Sequence, residues 1–201
     1  GLLAQDQAEE AQRVLDGALD DLPRHPDLIA LVNQVAGTRA QHALDKAERE
    51  FDRRQLDRAE SWLRTAESMA PSRPEVRELR DRLRSAKDQL DRRIERAKHK
   101  AQDGDLEGAL DTLAKILDEF PAYSGAVELH EKLAARRAIV SSAVGRARDR
   151  MEAGDLDAAT IAVRAALDAA PEDPAVTAVA RELNAKRSER ERVLDQAQGL
   201  I

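Results

Sequence analysis

The stretch AQDGDLEGALDTLAKILDEFP, residues 101–121, contains no cysteine, histidine or serine, and much of its pattern returns fifty residues later as MEAGDLDAATIAVRAALDAAP at 151–171. What repeats is a pattern of shape. Gly followed by Asp supplies a left-handed residue to close one helix and a carboxylate to cap the next. An Ala and a branched apolar residue four positions later mark one helical face, and Pro ends the run because it lacks an N–H and disfavours helix in the residue before it.

Extended in both directions, the pattern occurs four times. Its Ala stands at Ala11, Ala59, Ala109 and Ala159, its partner at Leu15, Leu63, Leu113 and Val163, then Ala18, Ala66, Ile116 and Ala166. The units close at Pro23, Pro71, Pro121 and Pro171, and the spacings of the Ala positions are 48, 50 and 50. In the second unit Arg54-Gln55-Leu56 stands where the later units have Gly-Asp-Leu. Each unit predicts a short helix of about 14 residues.

After the closing turn a second Pro, Pro74 or Pro174, suits a first helical turn, with Ser72 and Asp173 as expected caps. From there Val76, Leu79, Leu83, Ala86, Leu90, Ile94, Ala97 and Ala101 step by three and four without a break. Shifted by 50, the ladder reads Ala126, Leu129, Leu133, Arg136, Val140, Val144, Ala147 and Met151, with Arg136 its one polar interruption. The expected fold is all-α: a solenoid of helix-turn-helix repeats in which long helices of about 28–30 residues alternate with short ones of about 14. A 30-residue helix is about 45 Å long and a 14-residue one about 21 Å, so half of each long helix must find a partner other than the following short one. Side-by-side packing of successive long helices is the expected solution. The first long segment is two residues shorter, and Gly37-Thr38 within it predicts a kink or a helix end.

The Ala, branched apolar residue and turn Pro with an upstream Gly-Asp resemble the second half of a tetratricopeptide repeat. The small residue of the first half survives as Ala47, Ala97 and Ala147, while the aromatic positions hold Arg93 and Lys100, or Ala143 and Arg150. The period is about 50 instead of about 34, so roughly 16 extra residues lengthen the first helix or form a separate one. The resemblance covers the chain as one array, residues 1–201, and implies a concave wall for a protein or peptide partner. Its wall-facing positions would be Glu48, Asp52, Lys98, Gln102, Arg148 and Glu152, with Lys98 and Arg148 gripping an acidic segment.

Composition fits this reading. The chain has 201 residues, 42% hydrophobic and 36% charged, and carries a formal net charge of -6, so acids and bases are mixed and no basic stripe for nucleic acid is expected. With only Phe51, Trp62, Phe120 and Tyr123 as aromatics, the core must be aliphatic, and Trp62 is expected to serve packing. No apolar run is long enough to cross a membrane and no secretory signal is present; a cysteine-free chain is compatible with cytoplasm and bacterial periplasm alike. Gly1 in place of an initiating Met suggests a piece of a longer protein, an expectation supported by Gly1-Leu2-Leu3 and Gly199-Leu200-Ile201 occupying the same phase of the repeat.

Chemistry finds little to work with. His25 falls in a turn, and His42, His99 and His130 fall on separate long helices; no nucleotide loop, zinc motif or nucleophile elbow occurs. The carboxylates alternate with Arg and Lys at helical spacing, as solvated faces do. DGDLEG and EAGDLD lack the twelve-residue ligand spread of a calcium loop, and their Asp residues stand where a helix cap is required. No cofactor, metal or catalytic residue is therefore expected. The expected role is a non-catalytic protein-interaction scaffold; the alternative is a self-assembling helical element whose open ends and long-helix faces pair with further copies.

Overall fold

The computed structural model describes the backbone of residues 2–22 and 25–199; the side chains of 2–9, 12 and 19 are not described. Among the described residues the chain is all helical: α1 (Leu2–Asp21), α2 (Pro26–Asp52), α3 (Leu56–Met69), α4 (Pro74–Gln102), α5 (Leu106–Glu119), α6 (Ser124–Glu152), α7 (Leu156–Ala169) and α8 (Pro174–Gln198). Lengths alternate as the spacing predicts. Helices α3, α5 and α7 have 14 residues each, and α2, α4, α6 and α8 have 27, 29, 29 and 25. Between the closing turn and the next short helix, α2, α4 and α6 each run as one continuous helix, with no separate element among the described residues.

The punctuation explains the boundaries. Helices α2, α4 and α6 each close with a Schellman bond from the second residue past the cap: Gln55 N–H to Glu50 O at 2.8 Å, Asp105 N–H to Lys100 O at 2.8 Å and Asp155 N–H to Arg150 O at 2.9 Å. The residue before each donor has the positive φ that this motif needs: Arg54 at 62°, Gly104 at 88° and Gly154 at 76°. The following residue begins the short helix. Asp105 accepts from Gly108 N–H at 2.8 Å, and Asp155 from Ala158 N–H at 3.0 Å, whereas the Gln55 side chain makes no such bond.

At the other turn, Asp173 caps α8 by accepting from Ala175 N–H at 2.8 Å. Arg73 takes the corresponding place before α4, since Arg77 N–H bonds the Arg73 carbonyl at 3.3 Å. Ser72 contributes only its carbonyl, to the Arg77 side chain at 2.7 Å. The expected Ser72 cap is thus replaced by a residue with no capping side chain. Pro23 lies outside the described residues, as do Gly1, Leu200 and Ile201.

Two further expectations need correction. Helix α2 continues through Gly37-Thr38 without an end. Thr38 Oγ1 donates to the Gln34 carbonyl at 3.0 Å, and Ala40, Ala43, Leu44 and Ala47 are buried just beyond it, so packing outweighs a propensity loss of about 1 kcal/mol for the glycine. Helix α1 has 20 residues instead of about 14, because Asp6-Gln7-Ala8 stands where later units have the Gly-Asp-Leu break.

The chain forms two compact units. Unit 1 contains residues 1–90 and 119–124, and unit 2 contains 91–118 and 125–201. In unit 1, α1 packs on α2, and α2 packs on α3. The first half of α4 runs antiparallel to α3, joined by Lys87 to Glu60 at 2.7 Å and Arg80 to Glu67 at 2.5 Å. The same half lies parallel to the end of α2: Arg73 Nη1 donates to Gln41 Oε1 at 2.6 Å, and the Arg82 guanidinium sits 4.8 Å from the Phe51 ring. The first half of α4, which the following short helix is too short to cover, is therefore held between α3 and α2. Val76, Leu79 and Leu83 are buried there, each worth about 1.5–3 kcal/mol of apolar burial.

Unit 2 shows the same scheme. Lys100 Nζ reaches Gly108 O and Thr112 Oγ1, both at 3.3 Å, tying the end of α4 to α5. Arg137 pairs with Glu107 across α5 and α6. Arg136, the polar interruption of the ladder, donates from Nε to the Ala169 carbonyl at 2.6 Å and so satisfies the end of α7. Helix α7 packs on α8, where Val176, Val179 and Leu183 are buried.

Candidate surface grooves

Surface grooves lie between neighbouring helices of unit 2. One, of about 490 Å³, lies between α4 and α6 in unit 2 and is lined by Ile94 and Leu129, with Asp91, Glu95, Lys98, Glu128 and Lys132 along it. A second, of about 740 Å³, follows the stripe Ser141, Gly145 and Arg148 on α6, over Val140 and Val144, between the turns at Asp103–Asp105 and Asp173–Pro174. A third, of about 560 Å³, is floored by Leu110, Ala114, Ala134 and Ala138 on α5 and α6, with His130 and the Arg137–Glu107 pair beside it.

The structure places the six sequence-predicted residues in the last turns of three successive long helices. Glu48 and Asp52 lie on α2, Lys98 and Gln102 on α4, Arg148 and Glu152 on α6, and all six are exposed. Lys98 lines the first groove and pairs with Glu95. Arg148 lines the second, facing a wall that also holds Asp103, Asp105 and Asp173. The two cations therefore belong to separate grooves, and the other four residues line none of these three.

Sequence reading missed Ser141 and Gly145. Their signal was available by comparison at a distance of 50: Asp91 and Glu95 on α4 become Ser141 and Gly145 on α6. No heavy atom lies within 4 Å of where a Cβ on Gly145 would stand, so the groove is open at that point.

A cluster in unit 1 was also missed. Lys87 Nζ lies 2.7 Å from Glu60 and 3.5 Å from Asp57, and 5.8 Å from the centre of the Tyr123 ring. Arg64 holds the other Glu60 oxygen at 2.9 Å, and Asp57 Oδ2 accepts from Ser124 N–H at 3.0 Å. The Lys87 hydrogen bond holds the Glu60 carboxyl below its usual range against an opposing effect of burial, with Arg64 adding to the lowering. Burial, the largest single influence on Lys87, pulls its ammonium down; the hydrogen bond from Lys87 to Glu60 and the charges of Glu60 and Asp57 outweigh it and raise the ammonium above its ordinary value. Every group in the cluster is spent on another, which makes it a fastening.

That fastening recurs. Lys87 with Asp57, Arg137 with Glu107, and Arg187 with Asp157 at 3.7 Å are three pairs in which the base follows the acid by the same interval, one on each short helix and the long helix after it. The histidines are dispersed: His25 precedes α2, and His42, His99 and His130 lie on α2, α4 and α6. Among the described residues no group of three or more His, Asp and Glu side chains is placed to hold a metal ion, no polar side chain is fully buried, and no helix is long and apolar enough to cross a membrane. Compared with protein-family models, curated proteins and solved structures, the chain matches none.

Proposed function

We propose that this chain is a tetratricopeptide-like α-solenoid acting as a non-catalytic scaffold that binds a protein or peptide partner through its helical surface. One observation carries the reading: the fastenings repeat while the grooves do not. The acid–base pair between each short helix and the next long one recurs three times, and the left-handed turn that opens each short helix recurs at Arg54, Gly104 and Gly154. At equivalent places along α4 and α6, by contrast, Asp91, Glu95 and Lys98 give way to Ser141, Gly145 and Arg148. Repeat arrays that bind partners keep their stacking residues and vary their surface residues in this way.

The partner surface on this reading comprises the exposed ends of the long helices, Glu48, Asp52, Lys98, Gln102, Arg148 and Glu152. The test compares wild-type chain with Lys98→Glu plus Arg148→Glu as bait, after showing equal helicity and equal denaturation midpoints. A partner retained by wild type and lost from the variant is the expected result. Bait that retains nothing, or partners indifferent to both charges, overturns the proposal.

A further inference from the structure

Arg73, Tyr123 and Asp173 occupy one position of the repeat, in the turn that leads into a long helix, and their side chains go to different places. Arg73 reaches across to the preceding long helix, donating from Nη1 to Gln41 Oε1 at 2.6 Å. Tyr123 is buried at 5% exposure, with the Lys87 ammonium 5.8 Å from its ring centre and Asp57 accepting from both Lys87 and Ser124 N–H. Asp173 instead turns back on its own helix and accepts from Ala175 and Val176 N–H. Together with Arg137 and Glu107, the counterparts of Lys87 and Asp57, Asp173 lines the groove of about 740 Å³ along Ser141 and Gly145. The groove thus lies where unit 1 places a large side chain of its own.

The neighbours identify the kind of side chain that is missing. Gln41, which holds an arginine, becomes Ser141, whereas Lys87 and Asp57, which flank a ring, keep their charges as Arg137 and Glu107 and remain paired. A guanidinium in place of an ammonium offers a ring a flat cationic face. The rim has changed sign: Arg53 and Gln55 before α3 become Asp103 and Asp105 before α5, and Asp173 adds a third carboxylate. The two acidic turns touch, with Gly104 against the Glu172 carbonyl, and the contact of Arg73 with Gln41 sets their place in the repeat opposite Ser141. Arg148 lies further along α6, about 10 Å from Ser141 at 1.5 Å per residue.

We propose that this groove receives from a protein partner a segment with an aromatic side chain, a basic residue beside it and an acidic residue about three positions away, the spacing that spans about 10 Å of extended chain. The ring lies against Arg137 as Tyr123 lies against Lys87, the base meets the acidic turns, and the acid meets Arg148. This assignment rests on the scaffold reading and names the chemistry of its partner.

Titration of the isotope-labelled full chain with the capped peptides Lys-Tyr-Gly-Gly-Glu and Glu-Gly-Gly-Tyr-Lys, followed by the amide resonances, tests it. One of the two should give saturable shifts at Ser141, Val144 and Gly145 below about 1 mM. Alanine in place of the peptide's tyrosine should weaken binding at least tenfold. Gly145→Leu has room for its Cβ and replaces a poor helix former, so its denaturation midpoint should not fall, while the filled groove should bind at least tenfold more weakly. Arg148→Glu should also weaken binding, and lysine in place of the peptide's glutamate should restore it. Absence of saturable shifts with both peptides, an alanine peptide that binds as well, a Gly145→Leu chain that binds like wild type, or no recovery by charge exchange would each overturn the proposal. If bait carrying Lys98→Glu and Arg148→Glu loses a partner while both peptides fail, the scaffold reading stands and this assignment falls; if a peptide binds as described while wild-type bait retains nothing, the reverse holds.

Discussion

The turn before α3 and the turn before α5 perform one backbone task with opposite side chains. Arg53-Arg54-Gln55 and Asp103-Gly104-Asp105 both end a long helix with a left-handed residue, at φ 62° for Arg54 and 88° for Gly104. Around Gly104 there is no space: a Cβ would stand 2.1 Å from the Glu172 carbonyl oxygen. Arg54 instead has a side chain directed at its neighbours, with Nη1 3.4 Å from the Glu119 carbonyl and the guanidinium 5.8 Å from the Phe120 ring centre. The left-handed conformation belongs to the turn, and the requirement for glycine belongs to what lies against it. An arginine tolerates the conformation at a cost of about 1–2 kcal/mol where it has room and something to hold.

The sharpest way to break this comparison is Gly104→Ala. Left-handed strain combines with displacement of the Glu172 backbone, so a loss on the order of 3 kcal/mol in urea denaturation is expected. Gly154, at φ 76° with nothing within 4 Å of an added Cβ, isolates the strain: Gly154→Ala should lose only about 1 kcal/mol. Arg54→Gly should change stability by less than about 0.5 kcal/mol, since relief of strain offsets the loss of one long hydrogen bond and one distant ring contact. Equal losses for the two alanine variants would mean that proximity to Glu172 is not what demands glycine.

The second difference between the turns is the cap. Asp155→Ala removes an acceptor 3.0 Å from Ala158 N–H and should cost about 1 kcal/mol, and Asp105→Ala should behave alike. Gln55→Asp should instead gain about 0.5 kcal/mol, because Gln55 leaves the N-terminus of α3 without a side-chain acceptor. A neutral result for Gln55→Asp would show that the backbone at Gln55, at φ -93° and ψ 65°, does not bring a carboxylate to the free N–H groups.

These contrasts also show what a sequence exposes. The 14-residue helices and their 50-residue recurrence were legible because Pro121, Pro171, Gly104, Asp105, Gly154 and Asp155 each constrain the backbone where they stand. Arg54 was not legible as a left-handed residue, since nothing about arginine favours that region and it is the turn, closed by Gln55 N–H on the Glu50 carbonyl, that imposes it. Gly37-Thr38 does not end α2 for the reciprocal reason: local propensity is a weak prior beside the burial of Leu44 and its neighbours. The candidate surface was legible to the level of the helix. Lys98, Gln102, Arg148 and Glu152 do lie on exposed helix ends, but which groove each cation joins depends on side chains of another helix. Contacts such as Asp57 with Ser124 cross 67 residues and leave no periodic trace.

The smallest expected effect separates the fastenings themselves. Lys87 with Glu60 and Asp57 is a three-membered, half-buried cluster, whereas Arg137 with Glu107 is a pair whose side chains are 54% and 71% exposed. Exposed pairs are screened and contribute little, so Arg137→Met should be nearly neutral, and Lys87→Met should cost below about 1 kcal/mol at neutral pH. The pH dependence distinguishes them better than the magnitude. Glu60 is held below its usual value of 4.5 in the fold, so its contribution is present above that value and disappears as pH falls through the lower, folded one. Lys87 is held above 10.5, so its contribution is complete below that value and disappears as pH rises through the folded one. The difference in stability between wild type and Lys87→Met should therefore be flat from about pH 5 to 9 and shrink at both ends. The corresponding difference for Arg137→Met should shrink instead with added salt, which screens exposed charges more than half-buried ones. Matching pH profiles for the two variants would mean that the cluster in unit 1 is no more than another surface pair.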